Sequence, residues 1–286
     1  MKRILLPLSL LLLLALAAGC SAQGEAQLDP TMAQQLQIDE AMAATLAPGI
    51  QDVDVTDRGT DLTLHVRQTL GNDRELYVLY DVTLAGTVAL PAGEEGWFGP
   101  ETVTLQGVEE STARSGSVQT VFLDKERQTI TYLSYFSRGI PWPAGDLRLS
   151  VGDFVSDDTS LTQEVAEATW TPTNQGTILE GEIQTPTGET VGSVTLTPFS
   201  LSYTFTQGAQ PKMEEIGGTA LPSGYLLDSQ GMARRAGSAS GGGGNWGTTF
   251  RTPLDLTTVS AVEVAGYVVP LGQGTAVPEN WDAQAT

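Results

Sequence analysis

From Gly49 onward the chain alternates between apolar and polar positions. Val53 and Val55 stand between acids, Leu62, Leu64 and Val66 alternate with Thr63, His65 and Arg67, and Tyr77, Leu79 and Asp81 interleave with Val78, Tyr80 and Val82. A two-residue period gives each face of a strand its own set of side chains, so these runs predict half-buried strands. Similar runs follow at 102–106, 117–123, 129–136 and 146–151, and a second series occupies 165–170, 178–183, 190–197, 200–206, 257–264 and 267–271. The segments DRGTD, GNDRE and TPTGET between them supply turn residues. About seven strands in the first block and six in the second are too many for one comfortable sheet and suit two sandwiches of roughly 100 residues each. The expected fold is therefore all-β, with two immunoglobulin-like antiparallel β-sandwich domains over 49–160 and 161–275. The interval 207–253, with its MARRAGSASGGGGNWG stretch, reads as an exposed mobile loop, because glycines surrender the most conformational freedom on folding. Residues 276–286 read as a tail.

Before Gly49 the period differs. Lys2 and Arg3 precede an apolar run from Leu5 to Leu16, and Ala17, Ala18 and Gly19 lead to Cys20. A run this short reads as an export signal over 1–20 rather than a span across ~30 Å of hydrocarbon. The segment resembles a bacterial lipoprotein lipobox, with Ala17 where leucine is usual. That resemblance implies a diacylglycerol on the Cys20 thiol, cleavage before it, and a protein held by lipid on the extracytoplasmic face of the membrane. Residues 21–48, small and rich in Gln and Ala, read as a tether. Within it Met32, Leu36, Ile38, Met42 and Leu46 recur at roughly helical intervals behind Pro30, with Thr31 in position to cap a short helix.

Cys20 is the chain's single cysteine, so a thiol consumed by lipid leaves the body without disulfides, and its stability must come from core burial. The formal net charge is −20; loss of Lys2 and Arg3 leaves 12 basic against 34 acidic residues, or −22. Such a field repels phosphate backbones and excludes nucleic acid as a natural partner.

The stretch from Gly49 to Thr83 resembles the opening of the extracellular domain of unknown function 4179, found in Gram-positive anti-sigma-factor-like membrane proteins and lipoproteins. Leu76, Tyr77, Leu79, Tyr80 and Val82 occupy its second strand. The segment TPLDLTTVSAVEVAGYVVPL is similar to the end of the immunoglobulin-like domain that accompanies it, through Asp255, Leu256, Val259 and Val262. The resemblance implies an immunoglobulin-like fold outside the membrane and brings no catalytic residues. The chain has neither the internal spanning segment nor the His and Cys cluster of the anti-sigma members.

The inventory of chemical groups is thin. His65, the single histidine, falls on the polar face of its strand, which makes it a solvated residue before it is a catalytic base. With no free thiol and one imidazole, the usual zinc and redox ligand sets cannot be assembled. Asp52, Asp54 and Asp57, or Asp153 with Asp157 and Asp158, could offer oxygens to calcium, but neither set follows the twelve-residue calcium loop. Glu94 and Glu95 beside Trp97 are adjacent acids that point apart, unlike a convergent glycosidase pair. No catalytic residue, metal or cofactor is expected. The aromatic residues Trp97, Phe98, Trp142 and Trp246 stand in Gly/Pro-rich surroundings and are the candidate ligand-binding residues, while Trp170 ends a strand and reads as core. The expectation is a non-enzymatic binding or sensing module of the cell envelope, its partners the bilayer and a protein or cell-wall polymer. The alternative is a carbohydrate-binding module or degenerate glycoside hydrolase built on the loop tryptophans.

Overall fold

The computed structural model describes residues 26–88, 98–110, 113–156, 159–206, 213–216, 219–229, 232–237, 240–242 and 244–271. The alternating runs of the first block become β1 (Ile50–Arg58), β2 (Leu62–Gly71), β3 (Glu75–Leu84), β4 (Phe98–Gly107), β5 (Arg114–Ser115), β6 (Ser117–Asp124), β7 (Thr129–Ser137), β8 (Leu147–Ser156) and β9 (Thr159–Trp170). They form two antiparallel sheets, β1-β2-β3-β7-β6 and β5-β4-β8-β9. Within them β2-β3-β7-β6 and β4-β8-β9 stand in the A-B-E-D and C-F-G orders of an immunoglobulin sandwich, with β1 added outside the first strand. The inward positions meet in one core: Leu62, Leu64 and Val66 from β2, Val78 and Tyr80 from β3, and Leu149, Val151 and Phe154 from β8 are all fully buried.

The second block supplies β10 (Leu179–Gln184), β11 (Thr190–Leu196), β12 (Ser200–Phe205), β13 (Met213–Ile216), β14 (Thr219–Pro222), β15 (Gly224–Leu227), β16 (Ala233–Arg235), β17 (Ser240–Gly242), β18 (Asn245–Thr249), β19 (Ala261–Val264) and β20 (Tyr267–Pro270). Its sheets run β10-β11-β12-β18-β17 and β16-β15-β19-β20, with β13-β14 a separate hairpin. Strand for strand this is the order of the first sandwich, with the hairpin inserted between the third strand and its crossover. The turns that open the two equivalent strands also match. Asn72 Oδ1 accepts from the Arg74 and Glu75 amides at 2.8 and 3.1 Å, and Thr197 Oγ1 accepts from the Phe199 and Ser200 amides at 3.1 and 2.9 Å. In each, a short side-chain acceptor closes the turn that a backbone carbonyl would otherwise serve.

Three expectations from the sequence need correction. The division placed between 160 and 161 falls instead after Trp170, because β9 pairs with β8 from Ser156↔Thr159 to Leu147↔Trp170 and its Ala166, Ala168 and Trp170 complete the first core. The interval 207–253, expected as a loop, carries the six strands β13 to β18. The glycine-rich Ser240–Gly242 segment takes its order from pairing with β18, and Gly241 lies so close to the Asn245 carbonyl that a Cβ there would overlap it. Glycine serves close approach there, not freedom.

The third correction concerns the tether assigned to 21–48. Its described part is packed. Two short helices, α1 (Pro30–Gln35) and α2 (Glu40–Leu46), are capped by Asp29 and Asp39, not by Thr31; each carboxylate accepts a first-turn amide at 2.8 Å. Gln37, with φ 55°, breaks what the spacing suggested as one helix. Leu28, Met32, Leu36, Ile38 and Leu46 bury themselves on the outer face of the first sheet against Leu70, Leu79 and Leu133. The cause is visible in β3, whose outward Tyr77 and Leu79 are as apolar as its inward residues; a sheet face of that kind requires a cover. The start of the segment is stitched to β2, with Arg67 paired to Asp29 and Gln68 bonded to the Asp29 amide and the Gln27 carbonyl. Among the described residues no helix is long and apolar enough to cross a membrane.

Candidate functional site

The two sandwiches meet through their matching turns. Arg74 reaches across to Glu180 at 2.7 Å and donates to Thr195 Oγ1 at 3.2 Å. Its neighbour Glu75, almost fully buried, accepts from Tyr135 OH at 2.6 Å and from Ser200 Oγ at 2.8 Å. Burial and the adjacent Glu75 carboxylate raise the Tyr135 phenol above its usual range, so it remains a donor. Burial likewise pushes the Tyr77 phenol up to about 12, and its ring meets Phe199 edge-on at 5.2 Å. The connecting segment 171–178 is fastened along its length. The Thr173 amide donates to Gln51, Asn174 to the Gly49 carbonyl and the Gly176 amide to the Gly71 carbonyl, at 2.8, 2.7 and 3.0 Å. At Gly49 and Gly176 an added Cβ would overlap the Gly71 carbonyl, so three backbones cross where side chains have no room.

This junction encloses a cleft of about 370 Å³. One wall is Leu46 and Thr45 of α2 with Leu70 at the end of β2; the other is Leu179, Phe199, Leu254, Leu256 and Val259 of the second sandwich. None of the described residues lining it is ionisable, in a chain with 48 charged residues. Several of its hydroxyls are already bonded to the backbone or to a neighbouring cap. Asp255 caps the turn Leu256–Thr258 through the Thr257 amide and Oγ1 at 2.9 and 2.6 Å, Thr258 Oγ1 donates to the Asp255 carbonyl at 2.7 Å, and Ser260 Oγ donates to the Asp228 carbonyl at 2.6 Å. The Leu254 amide fixes this wall to the Pro198 carbonyl at 2.7 Å. The cleft is concave and lined mainly by apolar side chains, the form of a binding pocket.

The residues singled out in the sequence lie elsewhere. Cys20 and Trp97 fall outside the described residues, as do Glu94, Glu95, Asp157 and Asp158. Phe98 opens β4 and is not in a loop; only its backbone is described. Trp142 is buried in the first core beneath the Arg138 guanidinium, which sits 5.2 Å from its ring centroid. Trp246 lies within β18 opposite Tyr203 and packs half-buried on the second core. Trp142 and Trp246 thus serve separate cores and make no common platform. His65 lies on the outer face of the first sheet, as its strand position implied, with Nε2 2.9 Å from Asp54 and Nδ1 3.9 Å from Asp81. The clustered carboxylates turn to different partners: Asp52 accepts from Gln68, Asp54 faces His65, and Asp57 accepts from the Glu167 amide. Among the described residues no group of acids and histidine converges as a metal site would. The cleft was missed because its walls are distant in sequence; the one local signal was Pro198-Phe199, an apolar pair in a turn.

The chain matches no family model and no curated protein. It is similar to a conserved domain protein from Bacillus anthracis known by crystal structure, with 13% identity over 75% of this chain and 76% of that one and a TM-score of 0.39.

Proposed function

We propose that the protein is a lipid-anchored, extracytoplasmic binding module that takes an uncharged apolar group into the cleft between its two sandwiches. The cleft carries this reading: it is the uncharged, leucine-walled hollow of a strongly acidic molecule, and its frame is fixed by the Arg74 bridge and the fastened linker. No step of chemistry is asked of it: the hydroxyls in its lining have no acid or base among the lining residues to activate them. The anchor is Cys20, its thiol carrying a diacylglycerol and becoming the N-terminus when the export signal is cleaved.

A neutral apolar dye tests the cleft. Nile red should brighten on titration with the full chain, and Thr45→Trp, an exposed substitution that fills the cleft from α2, should abolish the effect without lowering the unfolding midpoint. Unchanged dye uptake in T45W would place the binding elsewhere. Intact-mass measurement of the membrane-extracted protein should show a diacylglyceryl Cys20 at the N-terminus; an unmodified full-length chain would remove the anchor.

A further inference from the structure

The apolar cleft has a neighbour. A second hollow of about 740 Å³ adjoins it, and the two share Leu254 and Thr258 as lining residues. Both are also bordered by α2, through Leu46 on one side and Met42, one turn earlier, on the other. The second hollow is the chemical opposite of the first. Arg234 and Arg235 of β16 and Arg251 line it, against one acid, Asp255. That acid is engaged, since its Oδ1 holds the Thr257 amide and hydroxyl. Arg234 and Arg251 form no ion pair among the described residues.

Arg234 and Arg251, both lining one hollow, run against the balance of a chain that holds 14 basic and 34 acidic residues. Solubility does not call for them there, because the acids already keep the molecule charged. Guanidinium groups bind oxyanions through paired N–H donors, and several around one hollow favour a group with more than one anionic oxygen. An uncharged apolar cleft beside an arginine-lined hollow, the two meeting at Leu254 and Thr258, has the layout of a site for a molecule with a hydrocarbon end and an anionic end.

From this juxtaposition we propose that the ligand is an anionic single-chain amphiphile, its chain in the cleft of Leu46, Leu179, Leu256 and Val259 and its phosphate or carboxylate head between Arg234 and Arg251. A volume of about 370 Å³ is near the lower end for ligand pockets, which suits one chain and not two. The proposal rests on the cleft being the binding site and adds the class of ligand.

The full chain, extracted in an uncharged detergent, is titrated with three lipids of equal chain length: a lysophosphatidic acid, a fatty acid and a monoacylglycerol. Displacement of Nile red reads each affinity. At least one anionic lipid should bind about tenfold or more tighter than the monoacylglycerol, and the preference should fall as salt is raised. R234Q/R251Q, two exposed substitutions, should erase the preference while leaving monoacylglycerol binding in place. Comparing the two anionic lipids identifies the head, phosphate or carboxylate. If all three lipids bind alike, or the double variant keeps the preference, the arginine hollow is not the head site and the cleft reading survives alone. If none displaces the dye and T45W leaves dye uptake unchanged, the cleft reading fails and this proposal with it.

Discussion

Glu164 shows how much one carboxylate can organise. It stands in β9 yet accepts the backbone amides of Thr60, Asp61 and Leu62, at 2.8, 2.5 and 3.1 Å, and so closes the β1–β2 turn against the far sheet. The Thr60 amide, then those of Asp61 and Leu62, hold its carboxyl below the usual carboxylate range. A carboxyl depressed in the folded state adds stability above its unfolded pKa, about 4.3, and that stability is lost as pH falls through the folded value. Glu164→Gln should therefore lower the urea midpoint at neutral pH and flatten its decline below about pH 4. A variant with unchanged acid dependence would show that these bonds add nothing. Little of this could be read in the sequence, where Glu164 is one acid among many and its partners lie about a hundred positions away. His65 was easier, because its face follows from Leu64 and Val66 alone.

At the scale of elements, alternation located the long strands, gave β3 a polar outer face that it does not have, and failed for very short strands. In β3 the run Leu76 to Tyr80 is continuous, and that continuity was the sign of a covered outer face, supplied by α1 and α2. Met32, fully buried under this layer, is its centre. Met32→Ala should cost about 2–5 kcal/mol in denaturant unfolding, as for other buried large-to-small changes. A loss near zero, expected for a residue on a loose tether, would return 26–48 to that role. Strands such as β16 and β17, three residues each, have no period of their own to display; partners fix them.

At the scale of the molecule, the sequence conveyed an all-β chain of two immunoglobulin-like sandwiches but not which strands pair or that a hairpin is inserted in the second, since topology depends on pairing and not on pattern. Nor did it show that the linker is clamped. Gly176→Val would force its side chain into the Gly71 carbonyl and part the crossing of the three backbones. We expect the variant to keep the strand content seen by circular dichroism but to gain rapid proteolytic cleavage within 171–178 and a larger radius of gyration in small-angle scattering. A variant as compact and as resistant as the parent would mean the sandwiches hold together without that crossing.

The packing of Leu28 beneath the helices bears on where such a body can stand. With the proposed anchor holding Cys20 in the bilayer, the six steps from Cys20 to the packed Ala26 reach at most about 22 Å at full stretch, so the leash keeps the first sandwich beside the lipid surface. The protein would then work as a sentinel at the water's edge, sampling molecules as they leave or enter the bilayer and not those diffusing through the wall beyond.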